Sequence, residues 1–355
     1  MVCHSFEAVM MMPITMDKLA KQSGYSKATV SRALNDDPRV KKATRQLIKD
    51  LAAKYNYRPH AVASNLARRQ TRIIGLLIPR APRTVADPFF LEFLHGVNGT
   101  LFNSGYSLLV PQVSPDHEQQ AIEQLIHEHR VDGLILTEPR IKDDRIAALQ
   151  QESIPYVFLG STVEPDVFWV DGANEAGAYA ATHHLVELGH RQIAVITGEP
   201  GLISTKNRMN GYRRALKEVG VEQERHWTIQ SDYTREGALE AVCRWLDSRD
   251  SQGITAIFSC NDTMAIGALQ ALKRRQRRVP EDIALVGFDG IEAASYVDPT
   301  LTTVQQPIFK LGRTVGSQLL QLLRGEVPAE QQMILPLELV VRDSSVPRKI
   351  NANEG

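Results

Sequence analysis

The chain has 355 residues, 43% of them hydrophobic and 23% charged, which suits two or three domains with buried cores and excludes a disordered polyelectrolyte. Its formal net charge of zero hides a division: from Pro13 to Arg72 there are 14 Lys and Arg against 4 Asp and Glu, and the remainder carries the compensating acidic excess. Three scattered cysteines, Cys3, Cys243 and Cys260, exclude a disulfide framework or a zinc-binding cluster and fit a reducing, cytoplasmic setting, and no apolar run reaches the ~18 residues of a membrane helix.

Residues 1–12, MVCHSFEAVMMM, lack the basic start and long apolar run of a signal peptide. They are expected to be a disordered extension or an over-long start. Thr15 can cap a short helix over 16–22 with Leu19 and Ala20 turned inward, and Gly24 breaks it. Ser26 can cap a second helix over 27–34, with Val30 and Leu34 as its inner stripe. Helix, tight glycine turn and helix make a helix-turn-helix. Asn35-Asp36-Asp37-Pro38 stops the second helix, and a third is expected over 41–55, with Ala43, Leu47, Leu51 and Tyr55 closing a three-helix core. Lys27, Ala28, Thr29, Ser31 and Arg32 form the polar outer face of the second helix. Arg and Lys can donate to guanine edges in a major groove, and Ala can touch a thymine methyl. A plain αα-hairpin with a solvated basic face is the simpler alternative, and the local charge excess argues against it.

The run MDKLAKQSGYSKATVSRALNDDPRVKKATRQLIKDLAAKYNYRPHAVASNLARRQTRIIGLLIP resembles, without a gap, the N-terminus of lac repressor (LacI/GalR) family regulators. The segments A-T-V-S-R-A-L-N and Y-R-P-H-A-V-A-S-N-L-A carry most of the likeness, which continues to about Arg342. The resemblance implies base contacts from Lys27, Ala28 and Arg32, and phosphate or supporting contacts from Thr29, Ser31, Asn35 and Arg39. It also implies a hinge helix over 58–70, in which Leu66, with Ala63, enters the minor groove as an apolar wedge.

From Ile73 onward short apolar runs alternate with helical stretches. Strands are expected over 73–78, 107–110, 133–136, 156–159, 167–170, 193–196, 256–259 and 284–287, and helices over 92–102, 118–128, 175–188, 207–219, 235–246 and 263–274. Apolar strands joined by helical crossovers imply parallel sheets covered on both faces. The expected fold is therefore an all-α helix-turn-helix domain over 13–57, the 58–70 hinge, a two-lobed α/β body over 71–342 and a polar tail over 343–355. A ligand would sit in the crevice at the strand C-terminal ends.

Polar residues collect at those ends: Asp87 before Pro88-Phe89-Phe90, Asn261-Asp262, Asp289, Gln306, and Arg208 opening a helix after the strand at 193–197. Asp, Asn, Arg and Gln can hold sugar hydroxyls while an aromatic ring covers a sugar's C–H face. Each such residue alone is more often a cap or a turn. The family resemblance implies a periplasmic sugar-binding-protein-like body in which Asp87, Phe89, Phe90, Arg208, Tyr233, Asn261, Asp289 and Gln306 contact the effector. Asp87 replaces the commoner Asn of N-P-F-F, Leu202 and Ser204 bring no extra basic group before Arg208, and Thr137-Glu138-Pro139-Arg140 is an unusual strand-end cluster.

No G-x-G-x-x-G or G-x-x-x-x-G-K-[ST] points to a nucleotide cofactor, and His183-His184 and His190 lack a metal-ligand or catalytic spacing. No cofactor and no enzymatic activity are expected. The expectation is a homodimeric regulator of a near-palindromic double-stranded operator, controlled by a small molecule, most simply a sugar. A phosphosugar, a nucleobase or a protein co-regulator stays open, as does the sign of the response.

Overall fold

Three short helices pack round a small core at the N-terminal end of the computed structural model, which describes residues 14–34, 36–57, 70–78, 87–111 and 113–346. The 1–12 extension, Asn35, the hinge positions Ala63 and Leu66, and residues 347–355 lie outside the described residues. Helix α1 (Met16–Ser23) starts at Thr15, whose Oγ1 accepts from the Lys18 amide at 3.4 Å, and ends at Gly24 in the left-handed region. Helix α2 (Lys27–Leu34) starts where the Ser26 hydroxyl accepts from the Thr29 amide at 3.2 Å. Leu19, Ala20, Val30, Ala33, Ile48, Ala52 and Tyr57 form the core, with Leu34 and Leu51 half-buried beside it.

Helix α3 (Lys42–Lys54) corrects the expected stripe: Ile48 and Ala52 face inward, whereas Leu47 is 47% exposed and Ala43 is exposed. A four-residue repeat advances about 40° per step on a helix of 3.6 residues per turn. Over twelve residues it turns through a third of the circumference and cannot stay on one face.

The chain divides into compact units between Thr71 and Arg72. The second unit holds two six-stranded sheets. The first sheet, in spatial order, is β11 (Gln332–Leu335), β5 (Trp169–Gly172), β4 (Tyr156–Leu159), β3 (Gly133–Thr137), β1 (Ile73–Leu77) and β2 (Ser107–Leu109), all parallel. The second is β12 (Glu338–Val340), β10 (Thr302–Gln305), β9 (Ala284–Asp289), β8 (Ala256–Ser259), β6 (Ile193–Thr197) and β7 (Thr228–Gln230), with only β12 antiparallel. The chain passes between the sheets three times, at residues 172–174, 305–308 and 335–338, so each lobe is assembled from separate stretches of sequence.

Helices cover both faces of each sheet. In the first lobe α4 (Pro88–Phe102), α5 (Glu118–His127) and α6 (Asp144–Glu152) follow β1, β2 and β3. In the second, α7 (Asn174–Glu187), α8 (Ile203–Glu218), α9 (Arg235–Leu246) and α10 (Asp262–Arg274) do the same, and α11 (Ile308–Leu323) returns to pack on α4. Sequence periodicity misses α6, α11 and the short edge strands β7, β11 and β12. Gly312 and Gly316 lower the local helix signal of α11, yet close packing needs them: a Cβ on Gly312 would collide with the Phe93 carbonyl, and one on Gly96 with the Phe309 carbonyl.

Helix α4 begins four residues earlier than expected, because Asp87 Oδ1 accepts from the Phe89 amide at 2.9 Å and Pro88 suits the first turn. The body also runs past the expected boundary at Arg342. The Ser344 carbonyl accepts from the Leu285 amide, its hydroxyl accepts from the Thr302 amide, both at 2.8 Å, and Ser345 is buried.

Candidate ligand cleft and nucleic-acid interface

A cleft of about 820 Å³ lies between the two lobes of the body, where the strand C-terminal ends converge. Asp87, Phe89, Phe90, Arg208, Tyr233, Asn261, Asp289 and Gln306 all line it. They come from α4, α8, the ends of β8, β9 and β10, and the loop before α9.

Arg208 does not open its helix, as the sequence reading expects; it lies in the second turn of α8 and is 7% exposed. The α8 helix starts earlier, at Ile203, whose amide donates to the Pro139 carbonyl at 3.0 Å. Arg208 Nε donates to Asn174 Oδ1 at 2.7 Å, one terminal nitrogen donates to the Cys260 carbonyl, and the other stands 3.4 Å from Asp289 Oδ1. Its guanidinium lies 4.0 Å from the Phe288 ring centroid. Gln306 Nε2 donates to Asp289 Oδ1 at 2.8 Å. Asn174 also donates to Asp171 Oδ1 at 2.8 Å, so one chain of hydrogen bonds runs from β5 through the first crossover to the second.

Asn174 and Asp171 line the same cleft and are absent from the sequence-derived set. The polar run Asp171-Gly172-Ala173-Asn174 after an apolar strand was the available signal, of the same kind that picked out Asp289.

Two residues serve two purposes. Asn261 caps α10 through the Met264 amide at 2.8 Å and also faces the cleft, and Asp87 does the same for α4. Asp262 is different: fully buried, it accepts from the Gly290 and Ile291 amides at 2.7 and 2.9 Å and from the Thr303 hydroxyl at 2.5 Å. It anchors the turn after Asp289 and does not line the cleft. Phe89 and Phe90 meet edge to face, with centroids 5.4 Å apart, and Phe89 packs against the cores of both lobes. Tyr233 packs over Gly198 and its hydroxyl pairs with that of Thr205 at 2.5 Å.

Glu138, Tyr233 and Asp289 are non-glycine residues at positive φ, 54°, 63° and 117°, and all three line the cleft. Each such conformation costs about 1–3 kcal/mol and persists only where its surroundings enforce it.

Burial raises the Asp289 carboxyl to about 7, against the lowering influence of Arg208 and Gln306, and nearby Asp87 adds to the rise. An unfolded Asp titrates near ~3.9. Between those values the folded protein holds a proton that the unfolded chain has released, so this group makes stability fall as pH rises and has no further effect above about 7. Asp289→Asn is therefore expected to melt progressively higher than wild type as pH is raised from about 5 to about 8. Paired thermal melts across that window check this, and a constant difference would show that Asp289 titrates normally.

In the helical unit, Lys27, Ala28 and Arg32 are exposed along α2, and Thr29 and Ser31 are half-exposed. Lys27 forms an ion pair with Asp17 on α1, the Thr29 and Ser26 hydroxyls meet at 2.9 Å, and Arg39 binds Asp37 at 2.7 Å. These short helices therefore present a polar, cation-bearing face. Among the described residues no group of three or more His, Cys, Asp or Glu could hold a metal ion, and no helix is long and apolar enough to cross a membrane.

Comparison with known proteins agrees with both units. Residues 15–60 match the profile described as "Bacterial regulatory proteins, lacI family", and residues 182–345 match a "Periplasmic binding protein-like domain". The chain is 32% identical over 337 residues to the HTH-type transcriptional repressor PurR of Aliivibrio fischeri, covering 94% of this chain and 99% of the relative. The lac repressor dimer bound to operator and the anti-inducer ONPF superposes with a TM-score of 0.81 at 28% identity, covering 94% of this chain and all of the other. A transcriptional regulator CelR–cellobiose complex gives 0.73 at 29% identity over the same shares.

Proposed function

The chain belongs to the lacI family of bacterial regulatory proteins and is a DNA-binding transcriptional regulator, and from that premise we propose that its effector is a small sugar bound in the cleft between the lobes. It acts in the cytoplasm as a homodimer on a near-palindromic operator, as a repressor of carbohydrate-utilisation genes. Lys27, Ala28 and Arg32 read base edges, while Thr29, Ser31, Asn35 and Arg39 make phosphate or supporting contacts. The segment 58–70 is the hinge, with Leu66 and Ala63 in the minor groove. The body from Arg72 through Ser345 binds the effector.

One observation carries the sugar reading. Eight residues that the family resemblance assigns to the effector, scattered from position 87 to position 306, line a single cleft. Hydrogen-bonding groups lie beside the aromatic faces of Phe89, Phe90 and Tyr233, as hydroxyls and a C–H face require. The named ligand of one structural relative, cellobiose, favours the same class.

The mechanism follows from the crossovers. A ligand held by both lobes favours one lobe arrangement over the other by its difference in affinity for the two. The three crossovers allow rigid-body rotation of one lobe against the other, and that rotation is the two-state element coupled to the hinge. Thermal melting of the full chain against sugars, phosphosugars and nucleobases tests the reading. A stabilising sugar should also change affinity for an operator selected from random-sequence DNA. Stabilisation by nucleobases alone would replace the sugar with a base.

A further inference from the structure

The first lobe meets the ligand cleft with a segment that the effector set leaves out, Thr137-Glu138-Pro139, whose three residues all line the cavity. Resting on the cleft being the effector site, we propose that Glu138 is a specificity-determining residue that selects an uncharged, hydroxyl-rich effector and rejects a phosphorylated one.

The first support is how firmly Glu138 is mounted. Its backbone is left-handed at φ 54°, and its carbonyl accepts from Arg145 at 3.1 Å. Arg145 also donates to the Thr137 carbonyl at 3.2 Å and is held by Asp143 at 2.7 Å. Arg140 is tied to buried Glu118 at 2.7 Å, and its amide donates to Asp143 Oδ2 at 3.1 Å. Across the cleft, the Ile203 amide donates to the Pro139 carbonyl at 3.0 Å and the Ile141 amide to the Gly201 carbonyl at 2.9 Å. The segment is thus held from beneath by a buried ion cluster, and a β-bridge from Arg140 to Leu202 links it to the second lobe. A carboxylate on such a mount cannot retreat from an ill-matched ligand by moving its backbone, and specificity comes from that inability to adapt.

The second support is the charge that a ligand would meet. Among the described lining residues, Asp87, Glu138, Asp171, Asp232, Glu236 and Asp289 are acidic, and Arg208 and Arg235 are the only cations. Arg208 is hydrogen-bonded to Asn174 and the Cys260 carbonyl and stands 3.4 Å from Asp289, and Arg235 pairs with Glu236 at 2.7 Å. Every charged lining residue contributed by the first lobe is a carboxylate. An ionised carboxylate accepts hydrogen bonds and cannot donate them, so at Glu138 the ligand has to bring the donor. A sugar hydroxyl does so, whereas a phosphate brings charge of the same sign as the lining carboxylates. Among these first-lobe acids Glu138 sits on the braced turn after β3.

The test is calorimetry of the full-length protein, wild type and variants, with a panel of pentoses, hexoses and disaccharides, ribose and cellobiose included, each beside its phosphorylated form. Wild type should bind a neutral member and not its phosphate. Glu138→Gln, which keeps the size and removes the charge, should weaken the neutral sugar by about tenfold with no loss of melting temperature. Glu138→Lys should narrow the preference for neutral over phosphorylated sugar by at least as much. Neutral-to-phosphate ratios like those of wild type in both variants would overturn the role of Glu138 while leaving the sugar site standing. Preferential binding of a phosphosugar by wild type would overturn it as well. Binding by no member of the panel would remove the sugar reading and this inference together.

Discussion

Asp289→Ala is expected to leave ligand-free operator binding nearly intact and to produce a repressor deaf to its effector. Asp289 ends β9 at φ 117° and is 6% exposed, with Gln306 on one oxygen and Arg208 beside it. Sugar hydroxyls each need a partner once buried, and above about pH 7, where Asp289 is ionised, losing a hydrogen bond to it costs about 1.5–3 kcal/mol. That is roughly tenfold or more in Kd.

The substitution should not collapse the cleft, because Arg208 keeps Asn174, the Cys260 carbonyl and the Phe288 ring. Arg208→Ala should abolish the response too, but with a loss of stability. It removes the donor to Asn174, which in turn holds Asp171 at the first crossover. The two losses of affinity should be less than additive, since both residues hold one ligand. Calorimetry with the wild-type effector decides the matter: unchanged affinity in Asp289→Ala, with or without a fall in melting temperature, would remove the site from this cleft.

Arg32→Ala should cost about 1–3 kcal/mol of operator binding and relax the preference at one base pair in each half-site, through loss of a bidentate guanine contact. Arg32 lies near the end of α2 on its exposed face, while Val30 and Ala33 on the opposite side fix the helix in the core. The substitution should therefore leave the fold unchanged. The salt dependence of binding should also barely change, because a base contact displaces few counterions. Arg39→Ala is the useful contrast: as a phosphate contact, its loss should weaken binding across all sequences and reduce the salt slope. Binding-site selection with both variants separates the two roles, and an unaltered sequence preference in Arg32→Ala would count against α2 as the reading helix.

The errors of the sequence reading share a cause. Leu47 and Ile48 are adjacent and equally apolar, and only the packing of α3 against α1 and α2 chooses Ile48. Asp87-Pro88 carries a helix-start signal, yet the same residues also read as a strand-end polar cluster, and α4 was expected to begin too late. Arg208 lines the cleft but does not stand at a helix start, because nothing local shows that α8 begins where Ile203 meets the Pro139 carbonyl of the other lobe.

By itself the sequence determined the helix-turn-helix, the alternation of strands and helices, and the residue types able to hold a sugar. Those signals are local: capping at Thr15 and Ser26, glycine at the turn, apolar runs of strand length, and polar residues just after them. The three passages between the lobes, the return of α11 to pack on α4, and the buried chain from Asp171 through Asn174 and Arg208 to Asp289 and Gln306 were decided by the tertiary structure alone. Arg208 and Asp289, paired in that chain, lie 81 residues apart in sequence (289 − 208). Periodicity and capping are short-range properties of a chain, whereas the partner of a buried charge is set by which strand ends the sheet order brings together.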